Sequence, residues 1–243
     1  MPGGLFNGLI APITPFSIHG AIWYQGESNS RPDRAPLYAR LFPDLIADWR
    51  SEWKQGDFPF LYVQISSFPS SPGDAWGVIC DAQRRTLSTA NTGMAVTLDI
   101  GDPNNIHPAD KQTVGHRLAL LARAQIYGET IEAYGPLFQS ATPEGASIRV
   151  WFQHGGESLA TSDGGAAHGF EVAGEDRHFA PAQARIEGKS VVAFSPEVKN
   201  PVYLRYARPN APVANLVNSS GLPASTFTSE ERLSAITLLP PAH

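Results

Sequence analysis

Three short apolar runs are spaced along the first half of the chain, each bounded by residues typical of turns. They occupy residues 20–24 (GAIWY), 58–65 (FPFLYVQI) and 94–100 (MAVTLDI). Continuous apolar runs of this length predict strands that are buried on both faces of a parallel sheet.

Helical patterns separate these runs. The clearest is a stripe that repeats every four residues and predicts a helix: Leu37, Leu41, Leu45 and Trp49. A weaker pattern covers residues 75–90, and a third covers residues 110–127, just after Pro108, which fits a helix start. Alternating strands and helices predict βαβ units with right-handed crossovers. The expected fold class is therefore α/β, with a partial three-layer, flavodoxin-like parallel sheet.

The pattern changes after about residue 128. Short strand-like runs follow, separated by Gly, Pro, Asn and Ser, at residues 147–152, 169–172, 190–194 and 202–206. This spacing predicts an antiparallel β-rich region. We therefore expect two domains, an α/β domain at residues 1–128 and a β-rich domain at residues 129–243.

Charge and composition narrow the classes of function. Eighteen Lys+Arg against 23 Asp+Glu give a net charge of −5, so no positive stripe for nucleic acid is expected. No apolar stretch approaches the roughly 20 residues of a membrane span. The single cysteine, Cys80, excludes an internal disulfide and a Cys-cluster metal site. The histidines show no metal-ligand spacing, so neither a metal nor another cofactor is expected.

Polar side chains with catalytic potential follow each predicted strand. Residues 25–29 (QGESN) follow the first, Ser66 and Ser67 the second, and residues 99–108 (DIGDPNNIHP) the third. Ligands of open parallel sheets bind beyond the carboxyl ends of the strands. The sequence therefore predicts a site at this edge.

Within that edge, His107 is the candidate general base and Ser28 the candidate nucleophile. A serine hydroxyl needs such a base, itself oriented by a carboxylate, and Asp102 and Asp99 are available for that role. From the residues alone, a surface histidine and a turn or N-cap serine stay open as alternatives.

The 25–29 segment also carries amide groups. Those of Gln25, Gly26 and Asn29 can donate hydrogen bonds to an oxyanion. Ordinary turn chemistry is the alternative role for these three residues.

Residues 20–29 and 99–108 together resemble the sialate O-acetylesterase family, a branch of the SGNH hydrolases that includes carbohydrate and xylan acetylesterases. Shorter matches follow in the family's order at residues 6–12, 110–115, 169–174 and 221–225. The resemblance implies an SGNH fold and a metal-independent Ser–His esterase that removes acetyl groups from sugar hydroxyls. It implies that His107 is the catalytic histidine and that residues 25–29 line the oxyanion hole.

Two departures from the family pattern matter. The family's nucleophilic serine lies in a Gly-Gln-Ser-Asn motif upstream of residues 20–29, and nothing in this chain matches it. Family members commonly have Asp two residues before the histidine, where this chain has Asn105. The chain thus resembles the C-terminal half of a longer esterase, and Asp102, Asp99 or Glu27 is left to orient His107.

Three interpretations stay open at this stage. The first is an esterase with Ser28 as a relocated nucleophile, acting on a small acetylated carbohydrate or ester. The second is a non-catalytic remnant, and the third is half of a split esterase that needs a partner chain. Three strands leave an exposed sheet edge, so we expect either a homo-oligomer that covers this edge or docking of the β-rich region against it. Family members are often exported, but the sequence assigns no compartment.

Overall fold

A parallel three-stranded sheet organises the first half of the computed structural model, which describes residues 3–71 and 73–230. Its strands, in spatial order, are β1 (Ala21–Trp23), β2 (Phe60–Gln64) and β3 (Thr92–Val96). Both neighbouring pairs are parallel, with Ile22 opposite Leu61 and Leu61 opposite Gly93. The predicted parallel sheet and mixed α/β class are confirmed.

Three helices connect and cover these strands. They are α1 (Ala35–Trp53), α2 (Trp76–Arg85) and α3 (Lys111–Gln125). Side chains alternate across a strand, so Phe60 and Tyr62 pack in the cluster that contains α1 and α2. Leu61 lies on the opposite face, in the cluster that contains Leu121 of α3. Short helical turns complete this half at Phe6–Ile10, Ala11–Ile13, Glu27–Asn29, Thr86–Ser88 and Leu98–Ile100.

The helix predicted from the leucine stripe is present, and its most deeply buried face lies beside that stripe. Leu37 is 43% exposed and Leu41 is 52% exposed, whereas Leu45 and Trp49 are partly buried against the core. The buried stripe lies one residue further along and is largely aromatic: Tyr38, Phe42, Ile46, Arg50 and Trp53. One residue is about 100° of helix rotation, and the larger rings gain more from burial than the leucines do.

Strand β1 is an edge strand rather than a buried one. Ile22 is 72% exposed, which corrects the prediction of burial on both faces. Helix α3 packs against β2 and β3 and does not shield Ile22. The other face of β1 is covered, because Trp23 packs edge-on against Trp49 with ring centroids 5.6 Å apart.

The second half is antiparallel, as predicted. Its strands are β4 (Leu137–Glu144), β5 (Ser147–Gln153), β6 (Leu159–Thr161), β7 (Phe170–Ala173), β8 (Ala180–Pro181), β9 (Gln183–Glu187), β10 (Ser190–Phe194), β11 (Tyr203–Tyr206), β12 (Leu216–Asn218) and β13 (Phe227–Thr228). They form sheets in the orders β4-β5-β10-β9, β13-β11-β7-β8 and β12-β6.

The hydrophobic core runs continuously from the α/β half into the β-rich half. One cluster of buried side chains includes Phe42 of α1, Ile79 of α2 and Phe227 of β13. Phe227 also stacks on Phe138 at 4.7 Å. The division at residue 128 stays a prediction. Within residues 3–71 and 73–230, no helix has both the length and the apolar character needed to cross a membrane.

Candidate functional site

A chain of hydroxyl groups ties the carboxyl ends of the three parallel strands together. The Tyr24 hydroxyl lies 2.8 Å from Ser66 Oγ, and Ser66 Oγ donates to Thr97 Oγ1 at 2.8 Å. Thr97 Oγ1 in turn donates to the Gln64 carbonyl at 2.6 Å. Each hydroxyl has one proton, so Tyr24 is the donor to Ser66. The edge predicted to carry the site is therefore internally cross-linked.

The 25–29 turn begins at the end of β1 and is held by helices α1 and α2. The Gln25 carbonyl accepts from the Tyr38 hydroxyl and from Gln83 Nε2, both at 3.0 Å. The Gln25 side chain donates from Nε2 to Asn29 Oδ1 at 2.7 Å. This bond leaves the Asn29 Nδ2 group as the donor of that side chain.

Gly26 is buried at the base of this turn. A Cβ built on Gly26 would lie 2.9 Å from Cγ2 of both Ile65 and Ile79, closer than real Cβ contacts. The absence of a side chain therefore lets the turn sit directly on the ends of β2 and α2.

Ser28 lies on the outer side of the Glu27–Asn29 turn and is exposed to solvent. The turn is closed behind it, because the Ser30 hydroxyl donates to the Glu27 carbonyl at 2.8 Å. Within the described part of the chain, the Ser28 hydroxyl makes no hydrogen bond, so its proton and lone pairs face outward.

His107 is also exposed, on the loop between β3 and α3. Its backbone N–H donates to Asn105 Oδ1 at 2.9 Å, and the Asn104 N–H donates to Asp102 Oδ1 at 2.8 Å. Both side chains stabilise the loop itself in Asx-type turns. No hydrogen bond joins Asp102 to the His107 ring among residues 3–71 and 73–230.

Asp99, the other carboxylate considered for His107, is bound by Arg117. Its two oxygens accept from Arg117 Nη1 at 2.6 Å and Nη2 at 2.7 Å, and Nη1 also donates to the Val96 carbonyl at 2.7 Å. This bidentate pair fixes the start of the histidine loop on helix α3.

The histidine loop packs tightly on the end of β2. A Cβ at Gly101 would overlap the Ser67 carbonyl oxygen, and Ser67 Oγ donates to the Leu98 carbonyl at 2.9 Å. Lys111, which begins helix α3, contacts the residue that precedes the 25–29 turn. Its Nζ lies 4.9 Å from the centroid of the Tyr24 ring. Strand β2 stands between β1 and β3, so the two loops start about 10 Å apart.

The predicted site residues thus lie on one edge, on two loops linked through Tyr24. Sequence reasoning missed Tyr24, Gln83 and Lys111, which hold the loops. The signal available for Tyr24 was its place directly after a strand, beside the polar segment. In the part of the chain that the structure describes, no group of three His, Cys, Asp or Glu side chains can hold a metal ion.

An α/β sheet with polar loops at its carboxyl edge defines a broad class of ligand-binding and hydrolytic proteins. Comparison with known proteins narrows this class. Residues 9–123 match the family described as carbohydrate esterase, sialic acid-specific acetylesterase. The resemblance seen in the sequence is therefore confirmed over this part of the chain.

Individual relatives agree with this family. The sialate O-acetylesterase of Mus musculus is 39% identical over 153 residues, covering 55% of this chain and 28% of that protein. The human sialate O-acetylesterase is 40% identical over 156 residues, covering 55% of this chain and 29% of that protein.

A crystal structure of a carbohydrate acetylesterase from Xanthomonas citri superimposes with a TM-score of 0.90 at 40% identity. The match covers 94% of this chain and 54% of that one. The chain therefore spans about half the length of this solved esterase and less than a third of the length of the curated relatives.

Proposed function

We propose that the chain is a serine esterase that removes O-acetyl groups from carbohydrates or small esters. The observation that carries this proposal is that the 25–29 turn and the histidine loop leave the same edge of the sheet, where Tyr24 contacts Ser66 after β2 and Lys111 at the start of α3. The match of residues 9–123 to a carbohydrate esterase family supports an acetylated sugar as the substrate.

The proposed chemistry has two steps. Ser28 Oγ attacks the acetyl carbonyl carbon while His107 takes the serine proton. The bond to the sugar oxygen then breaks, and His107 returns the proton to the leaving hydroxyl. Water, deprotonated by His107, attacks the acetyl-serine and releases acetate, and Ser28 regains its proton.

The negative charge on the carbonyl oxygen needs donors in both steps. We assign this role to the amide groups of Gln25, Gly26 and Asn29. Each oxyanion donor is typically worth about 3 kcal/mol in the transition state. The bond from Gln25 Nε2 to Asn29 Oδ1 leaves the Nδ2 group of Asn29 available as a donor.

The proposed mechanism requires the histidine loop to rearrange. Asp102 is the carboxylate assigned to orient His107, and to do so it must exchange its bond to the Asn104 N–H for the imidazole. Catalytic hydrogen bonds often form only in the complex with substrate. Binding of the sugar must therefore draw His107 toward Ser28 across the end of β2.

Two further parts of this proposal concern the sheet. We assign the sheet to the three-layer SGNH arrangement, which is supported by the helices on both of its faces.

We also propose that a second copy of the chain covers the β1 edge, supported by the 72% exposure of Ile22. Ile22→Lys should shift sedimentation toward the monomer, and unchanged sedimentation would contradict this part.

Hydrolysis of p-nitrophenyl acetate by the purified chain tests the esterase proposal. Ser28→Ala and His107→Ala are each expected to lose most of the wild-type rate, whereas Ser158→Ala, an exposed serine outside the site, should keep it. O-acetylated sialic acid and acetylated xylan, offered in parallel, distinguish the two types of sugar.

Three outcomes would contradict the proposal in different ways. Full activity in Ser28→Ala would exclude Ser28 as the nucleophile and direct the search to Ser66 and Ser67. Full activity in His107→Ala would indicate a contaminating esterase. No turnover by the wild-type chain would overturn the esterase function of the chain on its own.

A further inference from the structure

The peptide group between Gln25 and Gly26 is held at its carbonyl end by two helices. The carbonyl oxygen accepts from the Tyr38 hydroxyl of α1 and from Gln83 Nε2 of α2, both at 3.0 Å. A carbonyl oxygen has two lone pairs, so these two donors use its full capacity. The carbonyl group is therefore fixed toward α1 and α2, which pack in one core cluster.

The N–H of Gly26, at the other end of the same peptide group, points away from these two donors. A trans peptide group is planar, so its C=O and N–H bonds point in opposite directions. Within the described part of the chain, the Gly26 N–H donates no hydrogen bond. Gly26 is nevertheless the buried residue of the 25–29 turn. A backbone N–H that is buried without a partner is rare in folded proteins and needs an explanation.

The side-chain amide of Gln83 can adopt only one orientation. Gln83 is 0% exposed, and its Oε1 accepts from the Ile65 N–H at 3.0 Å. Rotation of the amide by half a turn would place two donors against each other at Ile65 and two acceptors against each other at Gln25. The Gln83 carbonyl also accepts from the Tyr62 hydroxyl at 2.8 Å, so both ends of the residue are anchored on β2.

Tyr38 is the second donor, and it is equally well fixed. The residue is 3% exposed, and its ring lies 5.3 Å from the ring of Phe42. Burial raises the pKa of Tyr38 to about 12, so the hydroxyl keeps its proton at neutral pH. Both donors to the Gln25 carbonyl are thus held by the buried core rather than by the loops of the sheet edge.

The lack of a side chain at Gly26 permits this arrangement. A Cβ on Gly26 would lie 3.2 Å from Gln83 Nε2 and 2.9 Å from Cγ2 of Ile79. A larger residue would therefore push the turn away from the amide that holds it. Glycine allows the close approach of the backbone that the bond from Gln83 requires.

We propose that Gln83 and Tyr38 are positioning residues that direct the Gly26 N–H toward the oxyanion. This inference rests on the esterase function proposed above and adds what orients one of the oxyanion donors. Donors that are oriented in advance stabilise a developing charge most, because they need no reorientation during the reaction. Gln83 and Tyr38 act through the peptide group and need no contact with the substrate.

Gln83→Met tests the role of the side-chain amide. Methionine keeps an unbranched, adaptable side chain but has no N–H to donate. We expect kcat for p-nitrophenyl acetate to fall about tenfold or more and KM to change less than about twofold, because the lost interaction acts on the transition state. Tyr38→Phe leaves Gln83 as a donor and should lose less of kcat. It is the second variant should Gln83→Met fail to fold.

The direction of the Gly26 N–H bond is measured without turnover. Its residual dipolar coupling, compared with the couplings of β2 and β3, reports how this bond is oriented relative to the sheet. In Gln83→Met we expect the Gly26 coupling to change while the couplings of the two strands keep their wild-type values. A role of Gln83 in stability alone would leave the Gly26 coupling unchanged.

Asn218→Leu is the matched control, because Asn218 is another buried amide with fixed partners. It is 1% exposed, and its Nδ2 donates to the Tyr134 carbonyl at 2.8 Å and to the His154 carbonyl at 3.0 Å. Its loss should lower the stability of the protein. The Gly26 coupling and kcat should keep their wild-type values.

The outcomes separate this inference from the esterase function itself. An unchanged Gly26 coupling in Gln83→Met would overturn the inference whether or not the chain is an esterase. A changed coupling with wild-type kcat, or an equal loss of kcat in Asn218→Leu, would also overturn it. No turnover by the wild-type chain would contradict the proposed function and, with it, the oxyanion role of the Gly26 N–H.

Discussion

Lys111 places its Nζ 4.9 Å from the centroid of the Tyr24 ring. Lys111 is the first residue of α3, and Tyr24 is the residue before the 25–29 turn. A cation over an exposed ring is worth about 0.5–1 kcal/mol. This contact therefore joins the helix that follows His107 to the turn that carries Ser28, across the end of β2.

Tyr24→Phe tests the hydroxyl part of this link. The variant keeps the ring for Lys111 but removes the bond to Ser66, so the free energy of unfolding should fall by about 1 kcal/mol. If the chain is an esterase, kcat should fall with little change in KM, because the turn and the histidine loop lose their common anchor.

Chemical denaturation and steady-state kinetics measure these two effects. Tyr127→Phe is the matched control, because Tyr127 is 70% exposed. Equal behaviour of the two variants would show that the Tyr24 hydroxyl does not position the site.

Gly26→Ala should distort the turn directly. Its Cβ would meet Ile65 and Ile79 at 2.9 Å, and overpacking of this kind costs about 1–3 kcal/mol. Gly115→Ala is the control, since a Cβ there meets nothing within 4 Å. That change lies inside α3 and should stabilise the protein by about 0.5–1 kcal/mol.

Thermal unfolding of both glycine variants checks their opposite signs. Unchanged stability in Gly26→Ala would mean that the turn is not seated on β2 and α2 as described. We expect the unfolding midpoint of Gly26→Ala to lie below that of the wild type, and the midpoint of Gly115→Ala to lie above it.

The sequence predicted the elements of the fold better than their orientation. Runs of apolar residues located β2 and β3, because strands buried on both faces have little else in their sequence. The same rule failed for Ile22 in β1, because exposure depends on which strand neighbours which, and this is a property of the whole sheet. The spacing of the leucines located α1. The more deeply buried residues of this helix, however, form the largely aromatic stripe that begins at Tyr38.

The candidate site was predictable in position but not in its connections. Strand ends indicated where Ser28 and His107 lie. The bonds of Asp99 to Arg117 and of Tyr24 to Ser66 join residues 18 and 42 positions apart, and no local pattern encodes such pairs.

Asp110 makes the stability of α3 depend on pH. Its carboxylate accepts from the Thr113 N–H at the helix N-terminus, and this bond lowers the pKa of Asp110 below its ordinary 3.8. A lowered pKa in the folded state means that the stabilisation is present above pH 3.8 and is lost as the pH falls through the folded-state value.

Asp110→Asn isolates this dependence. Asparagine still caps the helix but carries no charge, so wild type should be the more stable protein at neutral pH. Its advantage should disappear as the pH falls below 3.8 and through the lowered pKa of Asp110 in the folded state. Denaturant unfolding at several pH values measures the difference, and a difference that is independent of pH would exclude Asp110 as its source.

Asp99→Asn is expected to destabilise the protein, because it removes the charge partner of Arg117. The Arg117 side chain is 10% exposed and the Asp99 side chain 39%, so the change leaves a largely buried guanidinium without its negative partner, and the amide that replaces the carboxylate offers one acceptor oxygen instead of two. Removing one partner of a buried pair costs about 3–5 kcal/mol, and the partial exposure of Asp99 reduces the expected loss to about 2 kcal/mol.

A matched ion pair elsewhere gives the comparison for Asp99. Arg123 and Glu129 also make a short contact, but their side chains are 48% and 41% exposed, so Glu129→Gln should destabilise the protein less than Asp99→Asn does. Equal losses in the two variants, measured by denaturant unfolding, would contradict a special role for Asp99. A larger loss in Asp99→Asn, together with faster hydrogen exchange in residues 98–107, would show that Arg117 holds the histidine loop in place through Asp99.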